Sequence, residues 1–326
     1  MKKLDFMIIG AQKSATTSLY NYLKPHPEIF MSSSKEAPFF TKKELFDKGW
    51  EQFADEFFSG ADPLKFWGTA SPQYMGDDRA AERIHKLMPD ARLIAILRNP
   101  VDRAYSHFTM QVRRELEKRS FDQAIEESLQ PQALEYARKN MPEPIDGHAD
   151  EDETGHYVVW GEYARVLKEF LRYFPREQLL VLYMDDLMAE PAETYKKVVD
   201  FIGIKDAGFM PSNVGKVYHH GGSERIIPDS WRQALKNNGL FRLFWDFFPE
   251  NLRKRIRVFY DHNNLKKNSG KTGPSTYAAQ LLVDHYATDI SFLQSVTGKP
   301  VPWVELYDDT TANNENFINR EIRTQS

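Results

Sequence analysis

The chain has 326 residues, with 43 Lys and Arg against 47 Asp and Glu, a formal charge of −4, 41% hydrophobic residues and no cysteine. That length and apolar share support one sizeable α/β domain or two small ones, and the missing cysteines exclude disulfides and thiolate metal sites. No stretch approaches the roughly 18–20 apolar residues that cross a membrane, and the mild net acidity is unlike that of a protein built to ride along a polyanion.

The start Met1-Lys2-Lys3 runs almost directly into the apolar segment Phe6-Met7-Ile8-Ile9, leaving no room for a cleavable signal peptide, so a cytoplasmic protein is expected. Residues 6–9 read as a buried parallel strand. The strand empties into Gly10-Ala11-Gln12-Lys13-Ser14-Ala15, and Thr16-Thr17-Ser18-Leu19 then opens a helix. A strand–loop–helix of this kind aims unpaired backbone N–H groups and the positive end of the helix dipole at one spot. With Lys13 and the hydroxyls of Ser14, Thr16, Thr17 and Ser18 added, that spot suits a phosphate-like dianion. The loop for a nucleoside triphosphate needs four free positions between its first glycine and Gly-Lys-Ser/Thr, with the last hydroxyl on magnesium. Here Lys13 follows Gly10 after two residues and is not next to the Thr pair. The bland alternative is an ordinary strand-to-helix connection with a solvated lysine.

Next in the chain come Lys35-Glu36-Ala37-Pro38-Phe39-Phe40 and the strand-like Phe66-Trp67-Gly68-Thr69-Ala70-Ser71-Pro72-Gln73-Tyr74. A helix is predicted over 77–88 and a second buried strand over 93–97, which ends in Arg98 rather than in an acid able to hold magnesium. Pro100 suits a first helical position, and the helix is predicted over 101–117, with Ser106 two turns in. Arginine and serine together offer a planar fork and a further donor for a phosphate; a capping arginine paired with Asp102 is the alternative. A helix over 121–138 precedes residues 140–156, read as a loop or lid around Asp150-Glu151-Asp152-Glu153. That acidic run is either a solvated insertion or a device that repels polyanionic acceptors. A helix from Gly161-Glu162-Tyr163 to Tyr173, a strand over 179–183 and helices over 191–202, 230–238 and 276–296 complete the elements. The cluster Arg253-Lys254-Arg255-Ile256-Arg257 is a solvated helix face or a grip for an anionic acceptor, and the tail 308–326 is polar. His219-His220 has no companion spacing for a metal site, and no metal is expected.

The Gly10–Ser18 loop resembles the 5′-phosphosulfate loop of sulfotransferases, which use 3′-phosphoadenosine 5′-phosphosulfate (PAPS) and no metal. Arg98-Asn99-Pro100 through Ser106 is similar to the segment with which that family grips the 3′-phosphate. Lys35-Glu36-Ala37-Pro38-Phe39-Phe40 resembles the carbohydrate branch, which includes the heparan sulfate N- and 3-O-sulfotransferases and uses a glutamate as base. Tyr218-His219-His220 through Pro228 is similar to the loop over the nucleotide, with Arg225 matching a phosphate-binding arginine and Glu224 standing where glycine is more common. The resemblance covers about residues 4–305. It implies an α/β, P-loop-like three-layer fold with a central parallel sheet flanked by helices, as one domain over 1–307.

The implied site holds the donor with Lys13, Ser14, Ala15, Thr16, Thr17, Ser18, Arg98, Ser106 and Arg225. Glu36 would be the base and Lys13 the stabiliser of leaving-group charge. Two phenylalanines beside Glu36 are expected to raise its pKa. His107, His156, His219 and His220 stay open as alternative bases, since relatives acting on phenols and steroids use histidine; His107 is expected to pack in the core. Thr69 and Ala70 stand where relatives carry a glutamate and often a lysine, so no catalysis is assigned there. Ala15 stands where glycine is usual; the Thr16-Thr17 pair suggests that the helix has already begun and that Ala15 has helical angles. The acceptor is a carbohydrate or another small metabolite, with no nucleic-acid partner expected. An ATP-dependent kinase and a catalytically inactive nucleotide-binding scaffold are the rival functions.

Overall fold

The computed structural model describes residues 2–142, 152–205, 208–218 and 273–303, together with the backbone of 224–225 and 265–266. Five strands, β1 (Phe6–Gly10), β2 (Ile29–Met31), β3 (Phe66–Ala70), β4 (Arg92–Leu97) and β5 (Leu179–Tyr183), form one sheet in the order β2-β3-β1-β4-β5. Every neighbouring pair is parallel, with Phe6 opposite Gly68 on one side and Arg92 on the other. The chain leaves β1 for the β2 edge, returns through β3, then crosses β1 to build β4 and β5. The crevice of an open α/β sheet falls where such an order reverses, at the carboxyl ends of the strands. Here those ends are the exits of β1 and β4.

Both faces are covered, as a parallel sheet requires. Met7 and Ile9 alternate with Phe6 and Ile8 along β1, so each pair enters a different core. On one side Leu93, Ala95, Leu97, Val181 and Tyr183 pack with α3 (Trp50–Phe57), α4 (Asp78–Leu87), α5 (Pro100–Arg113), α6 (Phe121–Ser128), α8 (Tyr163–Tyr173) and α11 (Thr276–Thr297). On the other, Ile94, Ile96 and Leu182 pack with α1 (Thr16–Leu23) and α10 (Pro191–Ile202). This is the three-layer α/β arrangement expected from the sequence. Two short helices, α2 (Lys43–Asp47) and α9 (Met184–Ala189), and α7 (Pro131–Lys139) complete the described helices.

Three boundaries differ from the sequence expectation. The helix expected over 121–138 is two, because Pro131 cannot continue α6 and instead opens α7 at its first position. The helix expected over 101–117 stops at Arg113; the N–H groups of Arg114, Leu116 and Glu117 turn back to the Gln111 carbonyl, and Glu115 is left-handed at φ 63°. Residues 66–70 are a full sheet strand between β2 and β1, and β2 itself was not anticipated. The helix expected over 230–238, the cluster Arg253–Arg257, His219, His220 and the tail lie outside the described residues.

Candidate active site

The loop between β1 and α1 is shaped by two left-handed residues, Lys13 at φ 71° and Ala15 at φ 62°. The expectation of helical angles at Ala15 is therefore wrong: the helix begins at Thr16, and Ala15 is its N-cap with φ 62° and ψ 19°. Left-handed backbone costs a residue with a Cβ about 1–2 kcal/mol. Alternation of left- and right-handed residues turns successive amides toward one concavity, the arrangement that binds anions. The amide of Ser14 bonds the Ala11 carbonyl at 3.2 Å and that of Ser18 the Ala15 carbonyl at 2.9 Å. Among the described residues, the amides of Lys13, Ala15, Thr16 and Thr17 have no acceptor. Ser14 is fully buried and its Oγ has no hydrogen-bond partner. The nearby Tyr163 hydroxyl donates instead to the Arg98 carbonyl, at 2.9 Å. Ser18 is used differently from its neighbours, since its Oγ accepts from the Tyr218 N–H at 3.3 Å and so ties that segment to α1.

Gly10 admits the close approach that seats this loop, because a Cβ there would lie 2.5 Å from the Met75 sulfur. Lys13 then turns to α5, where its Nζ is 3.5 Å from Met110 Sδ. Burial, together with Arg113 and Arg114, pushes the ammonium down to about 8; Glu153 acts in the opposite sense and Arg98 adds to the lowering. A cation that is disfavoured by its own surroundings is a site prepared for an anion. Arg98 stands at the end of β4, with its guanidinium 3.5 Å from the Lys13 carbonyl and a loose 3.8 Å pair with Asp102. Asn99 caps α5 by accepting from the Val101 N–H at 2.9 Å, and Pro100 takes the first helical position as expected. Ser106 lies on α5 one turn before Met110, on the helix face that meets Lys13. The loop, Arg98 and Ser106 are thus gathered at the β1 and β4 exits. Arg225 lies in the short strand β6 (Glu224–Arg225), paired antiparallel with β7 (Leu265–Lys266); its side chain is outside the described residues.

Glu36 is held from behind. The Ala37 N–H donates to Ser71 Oγ at 2.9 Å, while the Ala37 carbonyl accepts from Ser71 Oγ and the Tyr74 hydroxyl. The carboxylate itself points out, more than half exposed, 2.9 Å from Lys35 Nζ and 3.5 Å from Gln73 Nε2. Phe39 and Phe40 do not lie against it. They are fully buried, Phe39 among Phe46, Trp50 and Phe53, and Phe40 against Tyr74. The expected upward shift is therefore reversed: partial burial raises the carboxyl, but the Lys35 charge and hydrogen bond, with Gln73, outweigh it and hold it below its ordinary value. Thr69 is buried beneath this segment and bonds Ser32 Oγ at 3.0 Å, a support rather than an acceptor contact.

Of the histidines, His107 is wholly buried on α5, as expected, with its Nε2 2.9 Å from Glu153 Oε2. His156 is also buried, its Nε2 2.9 Å from the Asn140 carbonyl. Burial lowers both imidazoles, so both are neutral at pH 7. Neither is open to an acceptor. Local sequence reasoning missed Glu153, which it placed in a solvated acidic run. Its carboxylate is buried and accepts from Gln12 Nε2 at 3.1 Å and Gln111 Nε2 at 2.8 Å as well as from His107. Ser71, Gln73 and Tyr74, which carry the Glu36 segment, were in plain view but have no signature of their own.

The β1–α1 loop with its open amides thus lies at the crevice of a parallel α/β sheet, with the Glu36 carboxylate on a neighbouring loop. The chain matches the sequence model of the sulfotransferase domain over residues 3–221 and belongs to that family. It is 30% identical over 244 residues to the human bifunctional heparan sulfate N-deacetylase/N-sulfotransferase 3, a match covering 71% of this chain and 25% of the relative. It is 29% identical over 203 residues to the mouse heparan sulfate glucosamine 3-O-sulfotransferase 6, covering 61% and 52%. The chain thus spans between a quarter and about half of the length of these curated relatives. A sulfotransferase from Alicyclobacillus acidocaldarius shares the fold, with a TM-score of 0.62 and 21% identity over 92% of this chain and 98% of that one. Among the described residues no helix is long and apolar enough to cross a membrane.

Proposed function

We propose that the protein moves a sulfuryl group from PAPS to a hydroxyl or amine of a carbohydrate or similar small acceptor, without a metal ion, as a soluble cytoplasmic enzyme with one domain over residues 1–307. The observation that carries this reading is the loop from Ala11 to Thr17. It combines four amides without an acceptor among the described residues, a buried hydroxyl without a partner and an ammonium crowded by arginines. Such a donor set fits a phosphosulfate, and the arginine at the end of β4 speaks against a magnesium nucleotide. When bound, PAPS supplies the sulfuryl group and a phosphate that leaves as an anion.

The residues of this chain do the rest. The amides of Ala15, Thr16 and Thr17, with Ser14 Oγ and the Lys13 ammonium, face the negative charge and stabilise its growth on the leaving side. Arg98 and Ser106 are assigned to the 3′-phosphate, with Arg225 as a further arginine. Glu36 takes the proton of the acceptor oxygen or nitrogen as that atom bonds to sulfur. To do so its carboxylate exchanges Lys35 and Gln73 for the acceptor, which its exposure permits. Support for a carbohydrate acceptor comes from the relatives named for heparan sulfate.

The test is transfer of radiolabelled sulfuryl from PAPS to sulfated oligosaccharides, desulfated ones and an uncharged sugar, with wild type and Glu36→Gln. Labelled product from wild type, lost in the variant, is the expected result. Binding of the desulfated nucleotide, 3′-phosphoadenosine 5′-phosphate (PAP), without transfer to any of them would favour the inactive scaffold.

A further inference from the structure

Glu153 is a buried acid that the reaction as described does not use. It sits at the end of an acidic run, yet its side chain is only 6% exposed. Four hydrogen bonds reach it from three side chains far apart in sequence: Gln12 of the anion loop and His107 and Gln111 of α5. Gln12 immediately precedes Lys13, whose ammonium meets the same helix one turn from the His107 position, at Met110. The loop and α5 are therefore joined twice, once through Glu153 and once through Lys13.

We propose that Glu153 is a positioning residue: it clamps Gln12 to α5, so fixing the loop that presents Lys13, and it is the acid that balances the cations gathered there. This rests on the donor-site reading above, but the clamp is a property of the empty protein. Burial raises the carboxyl, but the hydrogen bonds of His107 and Gln12 and the charge of Arg114 outweigh it, so Glu153 is ionised at pH 7. His107, lowered by burial, stays neutral and donates through Nε2, which leaves Nδ1 without a partner. Among the described residues, Arg113, Arg114 and Arg98, from α5 and the β4 exit, lower the Lys13 ammonium, and Glu153 opposes them. Glu153 also faces His156 and raises Glu36. One carboxylate thus favours the ammonium form of Lys13 and the basicity of Glu36 together.

The experiment uses the full chain as wild type, Glu153→Gln and Gln12→Ala. Lys13 is titrated without substrate, by acetic anhydride labelling across pH with mass spectrometric readout, and PAP affinity is measured by calorimetry. In Glu153→Gln the Lys13 midpoint should fall from about 8 by about 1 pH unit, the size expected when a nearby opposite charge is removed. The alkaline limb of the transfer rate should move with it. In Gln12→Ala the charge remains, so the midpoint should hold while PAP affinity falls several-fold as the loop loosens. A folded Glu153→Gln with an unchanged Lys13 midpoint overturns the charge role, and unchanged PAP affinity in Gln12→Ala overturns the clamp. If Glu153→Gln does not fold, Gln12→Ala decides. If wild type does not bind PAP but its Lys13 midpoint still responds to Glu153→Gln, the donor reading fails and the balancing role of Glu153 stands.

Discussion

On the proposed function, Lys13 should couple nucleotide binding to proton uptake. Its ammonium is lowered from 10.5 to about 8 by the protein around it, first by burial and then by Arg113 and Arg114. The charged form is therefore disfavoured there by about 3 kcal/mol relative to water. A dianion seated on the open amides of Ala15, Thr16 and Thr17 would return that energy by restoring the preference for charge. Proton uptake must follow wherever the empty lysine is partly neutral. With a midpoint near 8, Lys13 should take up about half a proton on PAP binding at pH 8 and about 0.9 at pH 9. At pH 7 its uptake of about 0.1 is offset by release from the phosphates, whose second pKa lies near 6, but that release is negligible from pH 8 upward. Calorimetry in buffers of different ionisation enthalpy reads the uptake directly. Lys13→Met should abolish the rise with pH. Uptake that stays near zero at pH 9 in wild type, with PAP bound, would refute the argument.

Further outcomes concern Glu36 with its neighbour Lys35, Ala15 and Glu162. Glu36→Gln should lower the transfer rate by about 10²–10⁴ while leaving PAP affinity unchanged, as measured by rate and by calorimetry; Lys35→Ala, by freeing the carboxylate from the charge that depresses it, should move the acid limb of the rate to higher pH. Ala15→Gly should keep PAP affinity and leave stability equal or higher, whereas Ala15→Val, β-branched at φ 62°, should lose about 1–2 kcal/mol in denaturant titrations. Glu162, buried between Arg138, Arg165 and His285, is lowered to about 2: burial raises it, but its three partners outweigh that. Its contribution is complete above about pH 4.5 and disappears as pH falls toward 2, about 3 kcal/mol in all; Glu162→Gln should flatten that part of the acid denaturation curve.

The strands that the sequence announced are those with long apolar runs, at 6–9, 93–97 and 179–183, because burial on both faces leaves no polar alternation to confuse them. The three-residue β2 is too short to give a pattern, and β3 contains Gly68, a poor strand former. Gly68 is there because the Phe6 ring lies over it, where a Cβ would come within 2.1 Å of Cζ. The proposed roles of Lys13 and Arg98 come from residue type and spacing together with the family resemblance, and that of Glu36 from the resemblance. The left-handed Ala15 was not legible, because the demand for positive φ comes from turning successive amides toward one concavity and not from local propensity. The position of Glu153 was beyond local reading for another reason. An acidic run looks solvated until Gln12, His107 and Gln111 converge on one of its members, and those partners lie 141, 46 and 42 residues away. The Phe39-Phe40 pair misled in the same way, since adjacency in sequence did not put the rings beside the Glu36 carboxylate.

On the proposed function, the β1–α1 loop and the β4 exit together hold a nucleotide with two phosphate positions and no metal. Calorimetric titration with PAP, AMP, ADP and magnesium–ATP, with Lys13→Ala as control, tests it most directly. Tight PAP binding that weakens sharply without the 3′-phosphate and on loss of Lys13 is the expected result. Preference for magnesium–ATP, or no binding of PAP at all, would contradict it.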